Sequence, residues 1–235
     1  MKVTLISHTQ DAAELLIFTK GTRLNMSPDG LEDIKSWSSE KKKKELDYIS
    51  NTIKSSWEFV DYTFMIGGVS RAFTHQFVRN RMGSYAQQTM RMLDVSGFDY
   101  VAGPSLEGDN LQRYDDAMAT INAEYEDLIE CGAKVEDARG VLPTNICTNI
   151  VAKYNLRTLS DMFASRRSLR TQSEFRSVAE AMEAEVLRVH PWAATFLRDR
   201  KADALKQLES VILSEYEGTE MCTDYLKLID TIRNS

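Results

Sequence analysis

The sequence predicts a helix-rich α+β fold with a few strands around its centre, and three observations carry that expectation. Apolar residues recur at helical spacing along most of the 235 residues, stretches rich in β-branched and aromatic residues are short and few, and no internal repeat or low-complexity tract interrupts them. The length suits one compact domain, or one domain with a small helical appendage, whose core stands without disulfides or metal.

Taken in order, residues 2–7 suit a short strand, and DAAELLIFTKG reads as a helix closed by Gly21. From Ser38 to Ile53, Leu46, Ile49 and Ile53 keep helical spacing, so an amphipathic helix is expected there. The aromatic and β-branched content of WEFVDYTFMI predicts a strand that Gly67 and Gly68 end. Beyond the double glycine, Val69, Ala72, Phe73 and Phe77 fit one side of a helix that carries Arg71, His75 and Gln76 elsewhere on its surface. Leu111, Tyr114, Met118, Ile121, Tyr125 and Leu128 mark a longer helix that stops near Gly132, where glycine can take the left-handed cap. Further helices are expected at 146–166, 172–189, 200–215 and 220–233.

Composition narrows the function. With 43% hydrophobic and 27% charged residues and no apolar stretch long enough for a bilayer, the chain reads as soluble, with no membrane partner. The opening MKVTLISHTQDAAELL has no basic region ahead of a long apolar run, so a cytoplasmic location is expected. Cys131, Cys147 and Cys222 are widely spaced, as are His8, His75 and His190, which suits reduced thiols and no metal site. A net charge of -6 argues against a nucleic-acid partner. Yet the arginines concentrate in two segments, Arg71 to Arg91 and Arg139 to Arg176, which suggests a local anion site.

In the first segment, Arg79, Arg81 and Arg91 enclose Ser84, Gln87, Gln88 and Thr89, a dense set of donors for a phosphomonoester. A surface loop whose arginines pair with nearby acids has the same composition. In the second, Leu159, Met162, Phe163 and Arg166 share one helical face, which turns Arg166 inward, either to an internal salt bridge with Asp161 or Glu174 or to a ligand.

The spacing Arg79-Asn80-Arg81, seven residues, then Thr89 resembles the Arg-His-Arg, seven residues, Ser signature of the flavin-dependent thymidylate synthases. Arg139-Gly-Val-Leu-Pro143, Asn155-Leu156-Arg157-Thr158-Leu159 and Arg166 with Gln172 and Glu174 follow that family's downstream order, and the match is strongest over 55–185. The resemblance implies a single domain over 1–235 with a small central antiparallel sheet. It implies FAD held by Thr63, Arg79, Asn80, Arg81, Gln87, Asn155, Arg157 and Asp161, and a pyrimidine deoxynucleotide monophosphate held by Gln76, Gln87, Gln88, Thr89, Met90, Arg91, Arg139 and Arg166. Arg166 would be catalytic, its guanidinium activating the pyrimidine ring. The implied reaction passes a one-carbon unit from methylenetetrahydrofolate to C5 of dUMP, with NADPH restoring the flavin. The resemblance also implies a homotetramer, the two arginine segments reaching one pocket from different chains.

The chain departs from the family pattern at Asn80 for His, Gln87 for Glu, Ala86 for Asn, Phe59 for a strand His, and Asp161 for Asn. These departures remove titratable groups and keep two further readings open. One is a sibling enzyme that hydroxymethylates or hydroxylates dCMP or dUMP for modified DNA. The other is a non-catalytic nucleotide- or flavin-binding homologue.

Overall fold

A computed structural model describes residues 1–21, 27–168, 170–198 and 200–234. Contacts divide the chain into two compact units, Met1–Leu197 and Arg198–Ser235. The first contains β1 (Lys2–His8), α1 (Ala12–Gly21), α2 (Gly30–Lys35), α3 (Ser39–Ser50), a 3-10 turn (Lys54–Phe59), β2 (Asp61–Ser70), α4 (Arg71–Phe77) and β3 (Ser84–Gln87). It continues with α5 (Gly108–Glu130), α6 (Val135–Ala138), β4 (Cys147–Asn155), α7 (Leu156–Arg166), α8 (Ser173–Val189) and α9 (Ala194–Leu197). The second unit is a helical hairpin, α10 (Arg200–Tyr216) and α11 (Glu220–Asn234), closed over Leu205, Ile212, Cys222 and Ile229. No helix among the described residues is long and apolar enough to cross a membrane.

The four strands form one antiparallel sheet in the order β1-β2-β4-β3. Side chains alternate across a strand, and one face of the central pair, Tyr62, Phe64, Ile66, Ile150, Ala152 and Tyr154, is buried. Those residues share one core with Leu16, Ile49, Phe73, Phe77, Leu159, Phe163, Phe175 and Phe196. Burying side chains of this size contributes roughly 1.5–3 kcal/mol each, so this layer supplies the stability that the half-exposed opposite face cannot.

Several expectations change. The strand does not begin at Trp57: residues 54–59 form the 3-10 turn, which buries Trp57 edge-to-face on Phe196 with centroids 4.9 Å apart. Nor do Gly67 and Gly68 end it. The strand passes through them as a bulge, with a register shift between Ile66 and Val69 and Gly68 at φ 66°, so Val69 belongs to the strand. Ile53 lies beyond the end of α3 and is exposed. The expected helix over 146–166 is a strand followed by a helix. Ile146, Ile150 and Tyr154 mimic helical spacing, but Thr148, Ile150, Ala152 and Tyr154 alternate into the core. The strand Ser84–Gln87 and the short helix Gly30–Lys35 stand in stretches that gave no periodic signal.

Gly83 fixes the turn between α4 and β3. Tyr85 Oη lies 2.6 Å from the Asn80 carbonyl oxygen and 2.8 Å from Tyr154 Oη, which ties this turn to the central strand. A Cβ on Gly83 would sit 2.5 Å from the Tyr154 ring and 2.7 Å from Tyr85 Oη. Gly83→Ala is therefore expected to lower stability by about 1–3 kcal/mol, read as a lower denaturant midpoint at unchanged slope.

A second constraint is buried and titratable. Tyr62 Oη lies 2.9 Å from His190 Nδ1, and His8 meets the His190 ring edge-on at 4.8 Å between centroids. Burial, helped by the charge of His8 and opposed by Glu14, pushes His190 from its ordinary 6.5 down to about 4. The unfolded chain thus takes up this proton at higher pH than the folded one. The contribution is complete above about pH 6.5 and is lost as pH falls through 4. The wild type should lose on the order of 1–3 kcal/mol over that window, and His190→Asn should show a shallower decline in thermal midpoint between the same pH values.

Candidate active site

Both arginine segments are positioned by the ends of the central strands. At the end of β2, Ser70 Oγ caps α4 by accepting from Phe73 N at 3.0 Å. Its own N and Oγ donate to the Glu174 carboxylate at 2.7 and 2.5 Å, which ties α8 to this corner. At the end of β4, Asn155 Oδ1 caps α7 by accepting from Thr158 N at 2.8 Å. Phe73, Phe77 and Phe175 then hold α4 against α8, with ring centroids 4.9 to 5.7 Å apart.

Where the C-terminal ends of α4 and α7 approach each other lies a cavity of about 270 Å³. Gln76, Arg79 and Asn80 line it from one side, Asp161, Ser165 and Arg166 from the other, together with buried Phe77, Met162 and Phe175. The Arg166 guanidinium stands 4.7 Å from the Phe175 ring centroid, so it is half-buried as the helical spacing predicts. Neither candidate acid takes it. Asp161 pairs with Lys54 at 2.6 Å and Glu174 accepts from Ser70, so Arg166 has no ion pair among the described residues. Gln76 Nε2 donates to Gln172 Oε1 at 3.0 Å, which orients it at the cavity mouth.

A second basic group forms around Glu136. Arg91 Nε lies 2.9 Å from Glu136 Oε2, and Arg139 Nε donates to the Glu136 carbonyl oxygen at 3.1 Å. Burial and the charge of Arg139 hold the Arg71 guanidinium below its ordinary pKa, which places Arg71 in the field of the same group. One carboxylate, that of Glu136, pairs with Arg91, while Arg139 reaches only its backbone oxygen, which leaves a local positive excess suited to a phosphate. Sequence reasoning counted Arg71 in the first arginine segment but gave it no site role. The signal was there in its place directly after the strand that carries the double glycine.

The other expected residues are placed as follows. Gln87 Nε2 donates to Thr74 Oγ1 at 2.9 Å, Gln88 Oε1 accepts from Asn149 Nδ2 at 2.7 Å, and Thr89 Oγ1 accepts from Arg91 N at 3.1 Å. Met90 is half-buried in the loop between them. Arg157 pairs with Glu58 at 2.6 Å, and exposed Arg81 has no ion pair among the described residues. Thr63 lies on the β2 face opposite Tyr62 and Phe64, outside the cavity. Phe59 is exposed at the end of the 3-10 turn and is not a strand residue. Within this single chain the two arginine segments already meet twice, as Arg79 with Arg166 and as Arg91 with Arg139.

Residues 4–192 match the family model of the thymidylate synthase complementing protein. The chain is 34% identical over 214 residues to the flavin-dependent thymidylate synthase of Clostridium tetani, covering 81% of this chain and 84% of that protein. It is equally 34% identical to the enzymes of that name from Sulfolobus acidocaldarius, over 81% of this chain and 74% of that one, and Nitratidesulfovibrio vulgaris, over 77% and 80%. A match of this extent places the chain in the thymidylate synthase complementing protein family.

Proposed function

We propose that the chain is a flavin-dependent transferase that methylates C5 of dUMP to give dTMP, and that its 1–197 unit carries the activity. The observation that carries the reading is Arg166, a half-buried guanidinium on Phe175 with no acid partner among the described residues. A uracil ring in that cavity would lose its N3 proton more readily beside a fixed positive charge, and the N3 anion makes C5 the nucleophile. Cytosine has no N3–H to lose, which weighs against a dCMP-modifying sibling.

FAD fits the residues present. Its diphosphate needs cations, and Arg79 and Arg81 are exposed without ion pairs among the described residues, with the Asn80 carboxamide between them. Asp161 would repel a reduced, anionic ring, but its pairing with Lys54 offsets that charge. When bound, the flavin supplies the reducing equivalents that turn the transferred methylene of methylenetetrahydrofolate into a methyl group, with NADPH as the reductant of the flavin. Thr63, Gln87, Asn155 and Arg157 complete the flavin set, and Gln76, Gln87, Gln88, Thr89, Met90, Arg91 and Arg139 the nucleotide set. Arg71 joins the latter.

The test separates ring activation from phosphate binding. Saturating FAD should raise the melting temperature, since a ligand of the folded state stabilises it. Arg166→Lys keeps the charge but loses the planar fork, so kcat should fall about 100-fold while FAD binding persists. Arg91→Ala should chiefly raise KM for dUMP, by about 10-fold. Normal turnover by Arg166→Lys would remove the arginine from the mechanism.

The assembly in this reading is a homotetramer in which the cavity of one chain is completed by the Arg71, Arg91 and Arg139 group of another. It is supported by the lining of the cavity, which includes Arg79 and Arg166 but none of Arg71, Arg91 and Arg139. Because Arg79 and Arg166 share a cavity in one chain, complementation should occur between Arg166→Ala and Arg139→Ala, and not between Arg79→Ala and Arg166→Ala. Mixing those inactive variants is expected to restore activity at roughly a quarter of the sites, and light scattering of an active monomer would contradict the arrangement.

A further inference from the structure

Asn149 lies on β4 beside the double glycine of β2, and its side chain has a fixed polarity. Gly68 N can only donate, and it lies 3.2 Å from Asn149 Oδ1, so the oxygen faces the glycines and the Nδ2 amine faces away. Nδ2 donates to Gln88 Oε1 at 2.7 Å, while Gln88 N donates to the Asn149 backbone oxygen at 2.9 Å. Gln88 is thereby held at both its backbone and its carboxamide. Its oxygen is engaged, and Nε2 has no partner among the described residues. Gly67 leaves the room this requires, since a Cβ there would lie 2.9 Å from Asn149 Oδ1.

We propose that Asn149 is a positioning residue that locks Gln88 as a hydrogen-bond donor toward an oxygen acceptor of the bound nucleotide, its phosphate or a ring carbonyl. The proposal rests on the nucleotide reading of the site given above. Gln88 is exposed and directly precedes Thr89, whose Oγ1 accepts from the backbone N of Arg91, so it belongs to the same loop as one arginine of the anion group. An unlocked carboxamide can turn over and offer a donor or an acceptor equally well. A locked one discriminates, because a donor edge brought against it leaves N–H groups facing each other. Uracil presents a carbonyl oxygen at C4, where cytosine presents an amine.

Asn149→Asp inverts the lock with little change of shape. The new carboxylate still accepts from Gly68 N but cannot donate, so Gln88 turns its Nε2 toward it and presents its oxygen to the ligand. With the whole chain loaded with FAD, KM for dUMP should rise about 10-fold at nearly unchanged kcat, while flavin absorption and melting temperature stay near wild type. Gln88→Glu, an acceptor of the same shape, should act alike, and Gly67→Ala, which displaces Asn149, should shift KM in the same direction. A ring-carbonyl contact appears as a relative gain of dCMP binding in Asn149→Asp, and a phosphate contact as an equal loss for dUMP and dCMP. Unchanged KM for dUMP in both Asn149→Asp and Gln88→Glu overturns the proposal and leaves the functional reading intact. A wild-type chain that binds FAD but no dUMP overturns both.

Discussion

The antiparallel pairing of β2 with β4 is the constraint from which the site hangs. Its register sets Ser70 opposite Cys147 at one end and Asp61 opposite Asn155 at the other. Each strand therefore delivers a helix from an opposite end of the sheet, α4 after Ser70 and α7 after Asn155, and each junction is closed by the side chain that caps the helix. Both helices pack on the same buried face, so their C-terminal ends approach each other over Phe175. A one-residue slip of register would reverse every side chain of β4 and expose Ile150, Ala152 and Tyr154. The position of Arg166 is in this sense a consequence of the sheet.

The same geometry explains how an acidic chain concentrates positive charge. Arg166 and the helix end beneath it suit each other, because a cation in the last turn meets the negative end of the helix dipole. Its remaining stabilisation comes from the Phe175 ring, a contact that leaves the guanidinium edge available. The Arg91 and Arg139 group instead relies on Glu136, which supplies a carboxylate to one arginine and a carbonyl oxygen to the other. The Arg91–Glu136 pair is exposed, and such a pair is worth little in water.

Much of this was legible in the sequence where one period dominated. The strand expected over 2–7, the long helix through Tyr125 and the helix expected over 172–189 carry unmixed patterns, and each forms within one residue of its expected bounds or along its expected face, as Lys2–His8, Gly108–Glu130 and Ser173–Val189. β4 was misread because Ile146, Ile150 and Tyr154 satisfy the helical spacing while the alternating residues satisfy the strand period, and only burial of Thr148, Ala152 and their neighbours decides between them. The double glycine was read as an end because glycine marks turns, whereas here it forms a bulge whose partner, Asn149, lies 81 residues away. The arginines could be grouped by spacing, but that Arg71 feels the charge of Arg139 is a relation that no local window contains.

The departures from the family signature change charge more than shape. At Asn80 the fold uses both backbone and side chain: Tyr85 Oη lies against its carbonyl oxygen, in the room that Gly83 leaves for the ring, and Asn80 Oδ1 accepts from Met82 N at 3.3 Å. At Gln87 a neutral amide donates to Thr74 Oγ1, whereas a carboxylate in its place could only accept. The hydroxyl then finds its own acceptor in the Arg71 carbonyl oxygen, which completes a chain of single-direction hydrogen bonds along the inner side of α4. Position 87 thus carries an amide where the signature has a carboxylate, and the carboxylate gained at Asp161 is paired with Lys54 at 2.6 Å. The two changes of charge at positions 87 and 161 are therefore opposite in sign, and each is met by a local partner, Thr74 for the amide and Lys54 for the carboxylate.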